Sequence, residues 1–187
     1  MNRTVRFLAL AAIAAGFFGC SNILVTLGLQ PPPGPPVTDS AYFTTQVDGL
    51  LDKIQSTRAR PFRRAVVMDF ANGDGRVSEL GRILTAKFNE RAVGRNLFKV
   101  VPQGQVKETL TTLNIQYRGT LSREQAGKIG EELSADAVIT GTIYDLQKGS
   151  DVDVTVNVVH PASGEMVSAA SMNVYRSKQV QTLLEQF

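Results

Sequence analysis

Residues 152–159 read Val-Asp-Val-Thr-Val-Asn-Val-Val. Val152, Val154, Val156 and Val158 fall on one face of an extended chain, and Asp153, Thr155 and Asn157 fall on the other. A period of two, with β-branched residues on one side, is the pattern of a half-buried strand. The run is bracketed by Gln147-Lys148-Gly149-Ser150 and Pro161-Ala162-Ser163-Gly164, whose glycine, serine and proline suit hairpin connections. Apolar runs lie beyond both breaks, so residues 134–175 read as three antiparallel strands. Such a meander has one apolar face, and upstream helices are its natural cover.

Those helices are legible. Val47, Leu50, Leu51 and Ile54 recur at helical spacing between Ser40 and Ser56, with Asp48 and Asp52 among them. They predict an amphipathic helix packed on the domain and ended before Pro61; a loose linker helix is the other reading. Arg64-Ala-Val-Val-Met-Asp-Phe70 predicts a first strand, and Asn72-Gly-Asp-Gly75 a polar loop after it. A calcium loop fails on spacing, because Ala71 stands where an oxygen ligand is needed. Ser78 caps a helix running to about Ala92, with Leu80, Ile83, Leu84 and Phe88 inward and Gly94 as its left-handed stop. Leu97 to Val101, closed by Pro102, predicts a second strand. Val106, Leu110 and Leu113 space another helix, and Ser122-Arg-Glu-Gln125 is a capping box opening a third. Between those two lies Asn114–Gly119, with Tyr117 and Arg118 expected at the surface; it is either a partner-contact loop or a packed connector. Lys178 to Phe187 predicts a closing helix on Val180, Leu183 and Leu184. The order is a helix, β-α-β-α-α-β-β-β, then a last helix. That is an α/β (α+β) fold, a mixed sheet of about five strands with helices packed on it.

The N-terminus is an address rather than a fold. Arg3 and Arg6 precede an uncharged apolar run, Phe7 to Phe18, as in a secretory signal. The run ends in Phe17-Phe18-Gly19-Cys20, which resembles a bacterial lipobox, with Phe17 where leucine is usual. That resemblance implies cleavage before Cys20, lipid on Cys20, and outer-membrane sorting through Ser21. The competing reading is an uncleaved inner-membrane anchor, since Phe7 to Leu29 carries no charge and would span roughly 35 Å as a helix. Both readings export the rest of the chain. Residues 1–19 are thus read as a signal peptide, 20–40 as the lipidated N-terminus and proline-rich tether, and 41–187 as the globular domain. The tether holds Pro31-Pro-Pro-Gly-Pro-Pro36, a short polyproline-type spacer.

Charge and ligand counts narrow the function classes. Losing residues 1–19 removes two of the 20 basic side chains and none of the 17 acidic ones. The near-neutral remainder gives no electrostatic case for nucleic acid. One histidine and one cysteine predict neither an internal disulfide nor a transition-metal site. No cofactor fingerprint is present, because Gly73-Asp-Gly75 lacks the further glycine spacing. His160 has no nucleophile-elbow serine to work with. Asp136 reads as a strand start, and Asp151 and Asp153 as solvent-face residues beside a turn. The chain is expected not to be an enzyme.

Five segments together resemble a known group: Arg64-Ala-Val-Val-Met-Asp-Phe70, Ser78-Glu-Leu-Gly-Arg82, Phe98-Lys-Val-Val101, Ala135-Asp-Ala-Val-Ile-Thr-Gly-Thr142 and Ser163-Gly-Glu-Met-Val167. They look like the FlgO family of flagellar outer-membrane proteins, related in fold to the curli secretion component CsgG and the penicillin-binding-protein activator LpoB. The resemblance covers about residues 40–175. It implies a non-enzymatic envelope lipoprotein facing the periplasm, with flagellar basal-body components as partners. The alternative is a binding module that activates a peptidoglycan synthase. Homo-oligomerisation fits either. A CsgG-like pore would need spare amphipathic strands of bilayer length, and every strand here is used by the domain. An LpoB-like reach across the periplasm would need a longer linker.

Overall fold

The computed structural model describes residues 39–146 and 149–187, and helix α1 (Asp39–Thr57) is the first element among them. Then come β1 (Arg64–Val67), β2 (Ala71–Asn72), α2 (Glu79–Gly94), β3 (Lys99–Val100), α3 (Gln103–Thr112) and α4 (Arg123–Glu132). The meander β4 (Ala137–Tyr144), β5 (Asp151–Val159) and β6 (Met166–Tyr175) follows, and α5 (Lys178–Glu185) closes the chain. The signal peptide at 1–19, the lipid site Cys20, the alternative anchor at 7–29 and the proline-rich tether lie outside the described residues. Among the described residues no helix is long and apolar enough to cross a membrane.

The sheet runs β3-β1-β4-β5-β6, with β2 also paired to β4. β1 pairs in parallel with β3 and β4, whereas the meander pairs antiparallel. The expected mixed sheet is present, with six strands among the described residues rather than about five. The extra one comes from a break in the predicted first strand. The Phe70 N–H leaves the ladder and donates to the Thr85 hydroxyl at 2.8 Å, and that hydroxyl donates to the Gly81 carbonyl. The Phe70 ring turns inward over Gly141, where a Cβ would sit 2.3 Å from it, so only glycine fits there. The chain then rejoins β4 as β2.

The second predicted strand, 97–101, pairs only at Lys99–Val100. Its start is consumed by the end of α2: the Leu97 N–H donates to the Ala92 carbonyl and the Asn96 N–H to that of Val93. This is a Schellman stop, and its left-handed residue is Asn96 at φ 55, not the expected Gly94, which is the last helical residue. Asn114 and Ser134 end α3 and α4 with the same pair of bonds. Polar side chains tolerate that conformation better than apolar ones, which explains how three helices stop without glycine.

Two cores result. One joins α1, α2 and α5 to the valine face of the meander, through Val47, Leu51, Phe70, Phe88, Val154 and Val156. The other lies on the opposite face, where α3 and α4 cover Val66, Met68 and Val138. Helix α1 also covers the edge strand β6. Lys53 Nζ donates to the Ser171 carbonyl at 2.7 Å, the Ala59 N–H donates to the Val167 carbonyl at 2.8 Å, and the Tyr42 hydroxyl accepts the Tyr175 N–H at 2.7 Å. These three bonds occupy part of the edge and hinder its pairing with another strand.

Candidate functional site

Helices α3 and α4 cover the sheet only as far as Val138. Beyond it, β4, β5 and β6 show a bare face. Register aligns Thr140, Asn157 and Ala169 in one row, Thr142, Thr155 and Ser171 in the next, and Tyr144, Asp153 and Asn173 in a third. The polar phase of each strand builds the surface, as alternation requires. The far end departs from that polarity. Tyr144 is 49% exposed, Leu146 70% and Tyr175 61%, beside the exposed carboxylate of Asp151. The Tyr144 ring rests on Gly73, where a Cβ would approach it to 3.2 Å. Aromatic side chains held out of the core are the residues enriched in protein-docking patches.

The loop holding the two predicted contact residues borders this face. Tyr117 is half-buried against the α3–α4 core and donates its hydroxyl proton to the Gly119 carbonyl at 3.2 Å, which corrects its expected surface position. Burial pushes its phenol pKa up, so it stays protonated. Arg118 is exposed, and its carbonyl presses against Gly75, a left-handed residue at φ 83 where a Cβ would come within 2.9 Å. Gly119, Thr120 and Leu121 then line, with Thr140, Asn157 and Met166, a groove of about 220 Å³. The structure therefore places Arg118 beside the bare face and commits Tyr117 to packing. Tyr144, Leu146 and Tyr175 were not singled out from sequence. The signal for the two tyrosines was a large aromatic residue in the polar phase of a strand, and Leu146 follows directly after β4.

A wider cleft of about 770 Å³ opens near the same end, lined by Asn72, Asp74, Arg76, Asp145, Arg176 and Phe187. The Arg76 backbone N–H, and after it the guanidinium 2.8 Å away, hold the Asp74 carboxyl below its ordinary range, and the guanidinium stacks 3.9 Å over the Phe187 ring. Arg176 meets Asp145 at 3.1 Å. Here the polar Asn72–Gly75 segment is a strand-to-helix loop, with Asn72 accepting from the Ser78 hydroxyl.

His160 does have a serine neighbour. Its Nδ1 accepts the Ser163 N–H at 3.3 Å and lies 3.2 Å from Ser163 Oγ, while that hydroxyl donates to Glu165 at 3.0 Å. The imidazole lone pair is spent on a backbone amide, and the carboxylate touches the serine rather than the histidine. The trio shapes the β5–β6 turn, unlike a base oriented by a third group. Asp136 accepts the Arg63 N–H at 2.7 Å at the start of β4. Among the described residues no group of three or more His, Cys, Asp or Glu side chains is placed to hold a metal.

Comparison with known proteins follows the same lines. The family model described as FlgO protein matches residues 45–179, from within α1 to the first turn of α5. The LpoB C-terminal domain from Escherichia coli has a similar fold, at TM-score 0.59 and 13% identity over 72% of this chain and 98% of that one. The corresponding domain from Salmonella enterica gives TM-score 0.58 at 14% identity, over 72% and 98% of the two chains. The NMR structure of E. coli LpoB gives 0.59 at 14% identity, over 79% of this chain and 74% of that one. At such identity the likeness is one of fold alone. No curated protein matches by sequence.

Proposed function

The chain belongs to the FlgO family, and from that membership we propose a non-enzymatic envelope lipoprotein, anchored through Cys20 at the outer membrane, that serves as a structural or assembly component of the flagellar base. The bare face of β4, β5 and β6 carries the docking part of this reading. Among the described residues no helix covers this side of the meander, and it ends in exposed Tyr144, Leu146 and Tyr175. Tyrosines of this kind give large contact area with few rotatable bonds. Arg118, on the flanking loop, supplies a positive charge at the rim.

The test pairs location with contact. Intact mass of the mature chain, with and without globomycin, reads lipidation at Cys20; a Cys20→Ala chain is expected to leave the outer-membrane fraction. Replacing Tyr144 and Tyr175 by serine is expected to abolish copurification with basal-body components and to reduce motility, with the thermal midpoint unchanged. Normal motility and flagella in a deletion strain would overturn the flagellar reading. Recovery of a peptidoglycan synthase, activated by the purified chain, would replace it with the alternative.

A further inference from the structure

The pole of the sheet opposite Tyr144 and Tyr175 carries a different surface. Residues 58–63 leave α1 beside β6, where Ala59 bonds to Val167, and reach the start of β1. They cross under the ends of β4 and β5. Phe62 pins this loop from inside, 5.0 Å from the Phe98 ring, so its charged neighbours are held outward. Arg58, Arg60 and Arg63 are set along it, and Lys99 continues the row on β3, its N–H donating to the Arg63 carbonyl. Arg60, Arg63 and Lys99 are exposed, and Arg58 is half-buried. From β6 to β3 the row crosses four strand spacings, roughly 19 Å.

None of these four enters an ion pair among the described residues, whereas Arg91 and Arg95 are both tied to Asp48. The nearby Asp136 is engaged by the Arg63 backbone N–H. Arg64 turns inward, donating to the Leu133 carbonyl at the end of α4. The negative ends of α1, α2 and α4 point to this pole and favour the cations without neutralising them toward solvent.

We propose that this row binds the repeated carboxylates of the cell-wall polymer, the stem peptides of peptidoglycan. Three features favour a repeating anion over an acidic protein. The row is linear, it is mostly guanidinium, which suits bidentate carboxylate contact, and the loop's one large apolar residue, Phe62, is buried rather than offered as an interface anchor. Position favours the wall over a membrane. The chain joins the domain at Asp39, the other end of α1, about 28 Å away along a 19-residue helix. The row thus lies at the end of α1 away from the point where an N-terminal anchor joins the domain. This last step rests on the envelope address proposed above.

The experiment is cosedimentation of the full chain, in detergent, with purified sacculi. Binding is expected to fall steeply between about 0.05 and about 0.3 M salt, because exposed charges are screened. R58Q/R60Q/R63Q/K99Q is expected to weaken it about tenfold or more. A matched four-charge control on other faces, R82Q/K107Q/K128Q/K178Q, is expected to bind as the natural chain does. Amidating the sacculus carboxylates should abolish binding. No binding, equal loss in both variants, or row-dependent binding to anionic phospholipid vesicles but not sacculi would each overturn the inference. An intact thermal midpoint for the row variant excludes misfolding as the cause of its loss. The readout is separate from the docking proposal: wall binding with no lipid on Cys20 would sink the address alone, and a lipidated, partner-bound chain indifferent to sacculi would sink this inference alone.

Discussion

β1 and β5 belong to one sheet, yet Ala65, Val66 and Val67 of β1 are all buried while β5 buries only every second residue. The difference lies in what covers them. β1 and the first half of β4 are sandwiched, with α1 and α2 on one face and α3 and α4 on the other, so both phases of the strand are core. Among the described residues, β5 and β6 have helices on one face only. Parallel pairing demands crossover helices and so buries both sides; hairpins make no such demand and leave a face free. One sheet thus has a half given over to stability and a half with a surface to spare, and the spare surface is where the candidate site lies.

The sharpest break of that comparison places the same substitution on the two faces of β5. Val156 is fully buried, and its neighbour Thr155 lies on the bare face. Val156→Asp would bury an unpaired carboxylate and is expected to cost about 4 kcal/mol or more, enough to unfold most domains. Thr155→Asp is expected to change stability by about 0.5 kcal/mol or less. Denaturant midpoints of the two chains measure the contrast. If Thr155→Asp proves as damaging as Val156→Asp, the face is not free.

A second test sits where the covered half is tightest. A Cβ on Gly141 would fall 2.3 Å from the Phe70 ring, so Gly141→Ala forces the ring, or β4, to move. The expected cost is about 1–3 kcal/mol. Adding Phe70→Leu should recover part of it, because the smaller side chain removes the clash; full additivity of the two losses would show that they do not meet.

Much of this division was legible in the residues themselves. The valines of β5 announced their buried face, and Ser122 with Gln125 announced the start of α4, where both bonds of the capping box form. Two features were hidden because their causes are tertiary. Nothing local in Arg64–Phe70 shows the strand breaking at Val67; that follows from Thr85, fifteen residues on, taking the Phe70 amide. The candidate site was half legible for a related reason. The exposure of Arg118 on its loop could be read from sequence, but Tyr144 and Tyr175 are ordinary strand residues until register sets them at one end of the sheet.

Ser122 gives a smaller and cleaner measurement. Its hydroxyl accepts the Gln125 N–H at 3.1 Å, and the Gln125 side chain accepts the Ser122 N–H at 2.9 Å. Ser122→Ala removes the first bond and is expected to cost about 1 kcal/mol. Because α4 covers only the sandwiched half, amide exchange should quicken in α4 and at Val138, and leave Ser171 and Asn173 as they were. Uniform quickening would mean that the halves unfold as one.

The smallest effect comes from the surface that holds α1 to α2. Asp48 accepts from Arg91 at 2.8 Å and from Arg95 at 3.4 Å, and the Arg91 hydrogen bond is the main reason its carboxyl is held below the ordinary range. A depressed folded-state pKa stabilises the fold above the unfolded-state value, and that stability is lost as pH falls through the folded one. Asp48→Asn should therefore cost stability near neutrality, on the order of 0.5 kcal/mol for a partly exposed pair. It should cost nothing once both chains are below that acidic window. The gap between their denaturant midpoints is expected to close as pH drops below about 4 and to shrink with added salt. A gap that persists in strong acid would mean that Asp48 acts through packing on α2 rather than through its charge.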